Sequence, residues 1–221
     1  MSRESKKQKK ERMAAIVARL EELYPHSECA LEYEGEAWKL LVMGRLSAQC
    51  TDARVNIVCK ELFSAFPSAN SLADAPIEEI ERIVRPCGLY RTKAANIKSA
   101  CIALRDRFGG VLPDTMEELL TLDGVGRKIA NLLLGDIYKK PAIVADTHCI
   151  RICGRLGFYP ETMKNPYKVE LTLSELIAPK KQSDFCHRIV WFGREVCSAR
   201  APRCENCPIK ELCRHAELHN D

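Results

Sequence analysis

The sequence predicts an all-α protein of about ten helices. Apolar residues recur at helical spacing almost from end to end of the 221 residues. Proline and glycine fall largely between those runs and punctuate them. The one candidate strand, AIVA at 142–145, is too short and isolated to build a sheet.

The elements follow in chain order. Met13, Ile16, Val17, Leu20, Leu23 and Tyr24 form the single apolar stripe of a first helix. Val55, Val58, Leu62 and Phe66 repeat the spacing, and Pro67 closes that run. Ile77, Ile80, Ile83 and Val84 form the next stripe, ended by Pro86 and Gly88. Ala94, Ile97, Cys101, Leu104 and Phe108 form a long one, ended by Gly109 and Gly110. Further stripes run through 129–134, 150–156, 169–176 and 185–192.

Composition narrows the class. A chain 46% hydrophobic and 29% charged is not intrinsically disordered. No apolar run reaches the ~18 residues of a membrane span. The first twenty residues carry no apolar core after their charges, so a soluble, cytoplasmic protein is expected, nucleoid-associated if prokaryotic. Net charge is +4, but the six basic and two acidic residues of 1–12 account for all of it. The remainder holds 28 of each sign, so any nucleic-acid contact must come from a local patch. Lys180, Lys181, Arg188, Arg194, Arg200 and Arg203, against only Asp184 and Glu195, are such a patch or a solvated charged face.

The twelve cysteines divide unevenly. Cys29, Cys50, Cys59, Cys87, Cys101, Cys149, Cys153 and Cys186 are scattered, most of them in apolar stretches, and read as reduced core residues. Cys197, Cys204, Cys207 and Cys213 fall within 17 residues of a proline-bearing stretch, where no helical stripe explains them. They read as metal ligands. A tetrahedral zinc site usually draws on two close cysteine pairs, and only Cys204 and Cys207 form one. The wider gaps suit a larger iron–sulfur cluster, with zinc the alternative.

A second signal is LTLDGVGRKIA at 120–130. Apolar helix, glycine turn and apolar helix make a helix-hairpin-helix pattern, or an ordinary helical corner. Gly124, Val125 and Gly126 would let a phosphate approach the backbone where the second helix points its positive end. Lys128 stands in the first turn of that helix, where the dipole, with any partial burial, favours the free amine that a Schiff-base nucleophile needs. Asp146 fits the N-cap of the next helix. It also fits a carboxylate facing Lys128, as base or as stabiliser of a developing sugar cation.

These motifs together resemble the endonuclease III family of DNA glycosylases. The resemblance rests on LSAQCTDARVN at 46–56, GLYRTKAANI at 88–97, LDGVGRKIAN at 122–131, VADTH at 144–148 and the four-cysteine loop, and covers about residues 15–215. It implies two helical domains flanking a DNA-binding cleft: a six-helix barrel at 30–140, and an iron–sulfur domain built from 1–29 and 141–221. It implies a [4Fe–4S] cluster on Cys197, Cys204, Cys207 and Cys213. The implied partner is double-stranded DNA with damaged bases or abasic sites, bound by a monomer. The implied activity is removal of oxidised or ring-damaged pyrimidines after base flipping, with strand cleavage by β-elimination. Lys128 then matches the nucleophile and Asp146 the catalytic aspartate. Gln49 matches a residue filling the gap left by the flipped nucleotide, and Leu89 a wedge in the stack. His148, Arg200 and Arg203 are further DNA-binding candidates.

The chain also departs from the family pattern. Asp123 replaces a usual proline, and Ala201 a frequent basic residue. Arg45 lies in a normally apolar stretch near the expected lesion pocket, where it would read a base edge or pair with an acid. The competing readings are a monofunctional mismatch or uracil glycosylase, which would generally lack Lys128, and a non-catalytic iron–sulfur DNA-binding module.

Overall fold

The computed structural model of the chain describes residues 4–26 and 28–215. Arg3 of the basic start lies outside them. The described residues contain eleven α-helices and no strand. They fall into two compact units: Cys29–Tyr138, and the two chain ends within Met1–Glu28 and Lys139–Asp221.

The unit Cys29–Tyr138 holds seven helices: α2 (Ala37–Leu46), α3 (Asp52–Ala65), α4 (Ala69–Asp74), α5 (Ile77–Val84), α6 (Tyr90–Phe108), α7 (Met116–Leu119) and α8 (Arg127–Asp136). Helix α2 is apolar along most of its length, so Leu40, Leu41, Val42, Met43 and Leu46 are all buried. It packs against α3, α6 and α8. Helix α6 takes α4 and α5 on its sides and buries Ala94, Ile97, Cys101 and Leu104. Each buried leucine contributes about 2 kcal/mol through lost contact with water. Side-chain caps set where the helices begin: Thr51 accepts from Arg54 N, and Thr115 from Glu118 N. Ser68 and Ser71 form a reciprocal capping box at α4.

The terminal unit holds α1 (Lys6–Leu23), α9 (Thr147–Arg155), α10 (Pro166–Leu176) and α11 (Gln182–Glu195). Met13, Ile16, Val17 and Leu20 are buried on α1, which packs on α10 and α11. Helices α9 and α11 meet closely at Gly193, where a Cβ would strike His148 Nδ1 and, at 2.8 Å, Ile152 Cδ1. Cys149, Cys153 and Cys186 are buried free thiols, in keeping with reduced core residues.

One expectation holds and two are corrected. Residues 142–145 are buried and form no strand, as their isolation predicts; Val144 N–H donates to Cys186 Sγ at 3.2 Å, and the N–H groups of Ala145 and Asp146 close three-residue turns on Ile143 O and Val144 O. Arg12, counted in the basic start, forms a two-pronged pair with Glu4 and donates to the Leu156 and Leu212 carbonyls. In the basic patch, Arg188 is buried and donates to Tyr24 O, and Lys181 pairs with Glu21 at 2.6 Å. These two charges of the patch are therefore engaged within the protein.

Candidate functional site

The hairpin in the Cys29–Tyr138 unit runs from α7 through residues 120–126 into α8. Buried Leu122 and Val125 pin the turn to the core. Val125 N–H already donates to Leu122 O at 3.1 Å, so Val125 offers no free main-chain donor here. Gly124 has φ +77, a left-handed turn position. A Cβ there would meet Arg45 Nε at 2.5 Å and Asn96 Cβ at 2.9 Å. Gly126 is the extended N-cap of α8, whose first N–H groups have no partner carbonyl within the helix.

Two doubtful residues have definite partners. Arg45 donates through Nε and Nη2 to Asn96 Oδ1, at 3.1 and 2.7 Å. Of the two alternatives, a base edge or an acid, neither is its partner here: an amide is, and its guanidinium backs the hairpin glycine. Asp123 accepts from the Ser99 hydroxyl at 2.5 Å, which holds the carboxylate toward α6. Lys128 is solvent-exposed at the second position of α8. It has none of the partial burial that would add to the helix dipole.

Gln49 and Leu89 share an unusual feature. Both are exposed non-glycine residues in the left-handed region, with φ +54 and +47. Leu89 is 60% exposed. Beneath them lies a residue that pattern reading missed. Lys93 is fully buried, and its Nζ donates to the carbonyls of Leu46, Ala48 and Cys87 at 2.9, 2.7 and 2.8 Å. Burial holds its ammonium below the usual lysine range. The signal was present in the sequence: Lys93 shares the apolar stripe of Ile97, Cys101 and Leu104.

In the terminal unit, Asp146 is the N-cap of α9 and its Oδ1 accepts from Cys149 N at 2.7 Å. His148 sits one turn before Arg151, with Nδ1 and Nη2 3.3 Å apart. Lys128 and Asp146 belong to different units.

Cys197, Cys204, Cys207 and Cys213 line one pocket with apolar Ile152, Leu156, Phe192, Val196 and Ile209. All four are half-buried free thiols. Among the described residues, no three of these sulfurs lie within 4.8 Å of one another. Four ligands of a single tetrahedral zinc would stand about 3.8 Å apart. The wider arrangement and the all-sulfur donor set fit a cluster with one cysteine per corner. Arg155 supports the loop from outside, donating to Cys197 Sγ at 3.3 Å and to the Ser198 and Ala199 carbonyls. Arg200 and Arg203 are exposed in the same segment as these cysteines.

A helical fold with a glycine hairpin and a four-cysteine loop defines a class. The chain matches the HhH-GPD superfamily of base excision DNA repair proteins over residues 42–179. Residues 197–213 match the iron–sulfur binding domain of endonuclease III. Endonuclease III of a Synechocystis species is 42% identical over 95% of this chain and 94% of its own length. The Escherichia coli K12 enzyme is 35% identical, covering 91% and 94%. A non-covalent endonuclease III–DNA complex superposes with TM-score 0.89 at 38% identity, covering 95% of this chain and 97% of that one. A trapped covalent endonuclease III–DNA intermediate superposes with TM-score 0.88 at the same identity and coverage. A thermostable thymine-DNA glycosylase shares the fold, with TM-score 0.83 at 20% identity. The chain belongs to the endonuclease III family.

Proposed function

We propose that this chain is a base excision repair DNA glycosylase with AP lyase activity, acting on oxidised or ring-damaged pyrimidines in duplex DNA in the cytoplasm. Family membership supports this reading, and the observation that carries it is Lys128. An exposed primary amine stands on the first turn of α8, directly after the glycine hairpin. Phosphate held by the α8 N-terminus brings the sugar backbone to that amine.

The damaged nucleotide leaves the stack, because C1′ cannot be reached inside the duplex. Gln49 and Leu89 enter the space it vacates, each projecting from a left-handed backbone position. The Lys128 amine attacks C1′ and the bond to the base breaks. Loss of a proton from nitrogen and opening of the sugar ring leave a Schiff base. Removal of the C2′ proton then expels the 3′ phosphate and cleaves the strand. Asp146 holds its α9 cap through Oδ1 and turns the rest of its carboxylate to charge stabilisation or proton transfer. His148, Arg200 and Arg203 contact the DNA backbone. Cys197, Cys204, Cys207 and Cys213 hold a [4Fe–4S] cluster, which when bound orders the loop carrying both arginines.

Borohydride trapping on a duplex with one oxidised pyrimidine tests the reading. Wild type should form a covalent adduct and Lys128→Ala none, with strand cleavage reduced by roughly 10³-fold or more and duplex binding retained. An adduct of equal yield with Lys128→Ala would place the nucleophile elsewhere.

A further inference from the structure

We infer that Lys93 is a positioning residue: it bolts together the two loops that enter the DNA and fixes the strained backbone of Gln49 and Leu89 before DNA arrives. This rests on the reading of those two residues as the ones that enter the duplex.

The ammonium has three N–H donors and meets three backbone carbonyls. Leu46 and Ala48 supply two, at the end of α2, where helix carbonyls lack partners and the dipole favours a cation. Cys87 supplies the third, from the turn before Leu89. One nitrogen therefore holds the main chain just before Gln49 and just before Leu89 to a single point. Leu89 is itself the N-cap of α6, so this point is also tied to the start of that helix.

The charge is not there to pair with an acid. The titratable groups acting on the ammonium are the thiols of Cys50 and Cys87 and the Arg45 guanidinium. A methionine of similar length would fill the same space without burying a charge. Apolar packing thus gives no reason for lysine at 93, whereas the three carbonyls do. The left-handed residues supply the second half of the argument. A non-glycine residue there is strained and persists only where its surroundings over-determine it. Gln49 and Leu89 are exposed, so their own side chains have little packing to do so. The restraint comes from below, through Lys93.

A fixed pair of loops matters only where there is a stack to enter. The test compares Lys93→Met with wild type on duplex and on single-stranded abasic DNA, scoring Schiff-base trapping and cleavage. The single strand has no opposing base to displace, so it counts folded protein with a working amine. Lys93→Met should stay within about twofold of wild type on the single strand and fall roughly 10- to 100-fold in kcat/KM on the duplex. A 2-aminopurine opposite the lesion should lose its fluorescence change in the same variant. Equal losses on both substrates, or no loss on the duplex, would overturn the proposal. If Lys93→Met is inactive on the single strand, Lys93→Gln is scored in its place by the same two outcomes. Leu89→Ala is measured alongside. If it leaves the duplex rate unchanged, the underlying reading of the loops fails; if it lowers the rate while the Lys93 variant does not, only the bolt fails.

Discussion

The two units hold their irregular segments in opposite ways. In Cys29–Tyr138, one buried ammonium draws three carbonyls inward, and the loops at Gln49 and Leu89 are set from beneath. In the terminal unit, arginines grip the cysteine loop from its flanks. Arg155 takes the Ser198 and Ala199 carbonyls, Arg151 the Cys197 carbonyl, and Arg12 the Leu212 carbonyl. Regular structure within residues 197–213 is limited to the 3₁₀ turn Lys210–Leu212. The first arrangement is complete with protein atoms alone. The second surrounds the sulfurs of the segment that matches an iron–sulfur binding domain, and under the ligation proposed above its order depends on the bound cluster.

The widest separation between the units should appear on removing iron. Amides across 197–213 should lose hydrogen-exchange protection entirely, while amides of α6 keep theirs. Duplex affinity should fall with the ordering of Arg200 and Arg203. Equal loss of protection in α6 would mean that the two units unfold as one, and the contrast would be wrong.

A backbone change in the other unit should have a smaller effect. Gly124→Ala forces a Cβ to within 2.7 Å of Arg45 Cδ and 2.9 Å of Asn96 Cβ, at φ +77. It should cost about 1–3 kcal/mol. Arg45→Ala in the same chain should return only the Arg45 part of the clash, because the Asn96 Cβ contact and the φ strain remain. Calorimetry on the two single variants and the double variant separates the parts as a coupling energy. Full recovery in the double variant would show that the turn itself carries no strain.

The same contrast marks what the sequence disclosed. Helices announced themselves through apolar stripes, and the cysteine loop through four ligands that no stripe could absorb. Polar residues with structural roles were concealed. Lys93 lies inside a stripe, but a periodicity of apolar residues passes over the one cation among them. Arg12, Lys181 and Arg188 were counted as surface charge because net charge carries no information about carbonyl partners. Arg45 invited a base edge or an acid partner, since charge suggests charge; an amide 51 residues away serves here. The stretch 142–145 has strand-like residues, yet strands require a neighbour, and an isolated run settles as buried coil.

Removing one grip on the cysteine loop should have a moderate effect. Arg155→Met deletes three hydrogen bonds at residues 197–199 and keeps much of the apolar stem. A loss of about 1–3 kcal/mol is expected, read as faster release of iron to a chelator and not as a lower melting point of α6. Unchanged iron release would show that the cluster ligands need no support from the flank.

The smallest effect concerns the far end of the same grip. Glu4 and Arg12 have side chains only 10% and 13% exposed, with Arg12 Nε 2.9 Å from Glu4 Oε1. Hydrogen bonding to Arg12 lowers the Glu4 carboxyl below its ordinary value of 4.5, and burial only partly opposes it. A carboxyl lowered in the folded state binds fewer protons there than in the unfolded chain. Its contribution is therefore fully present above pH 4.5 and is lost as the pH falls through the lowered value. Glu4→Gln should cost about 1 kcal/mol at pH 7, and the difference from wild type should shrink as the pH falls below 4.5. Urea melts at pH 7 and pH 3.5 measure both. A gap that stays constant with pH would mean that Glu4 orients Arg12 by shape alone, and that the grip on Leu212 owes nothing to charge.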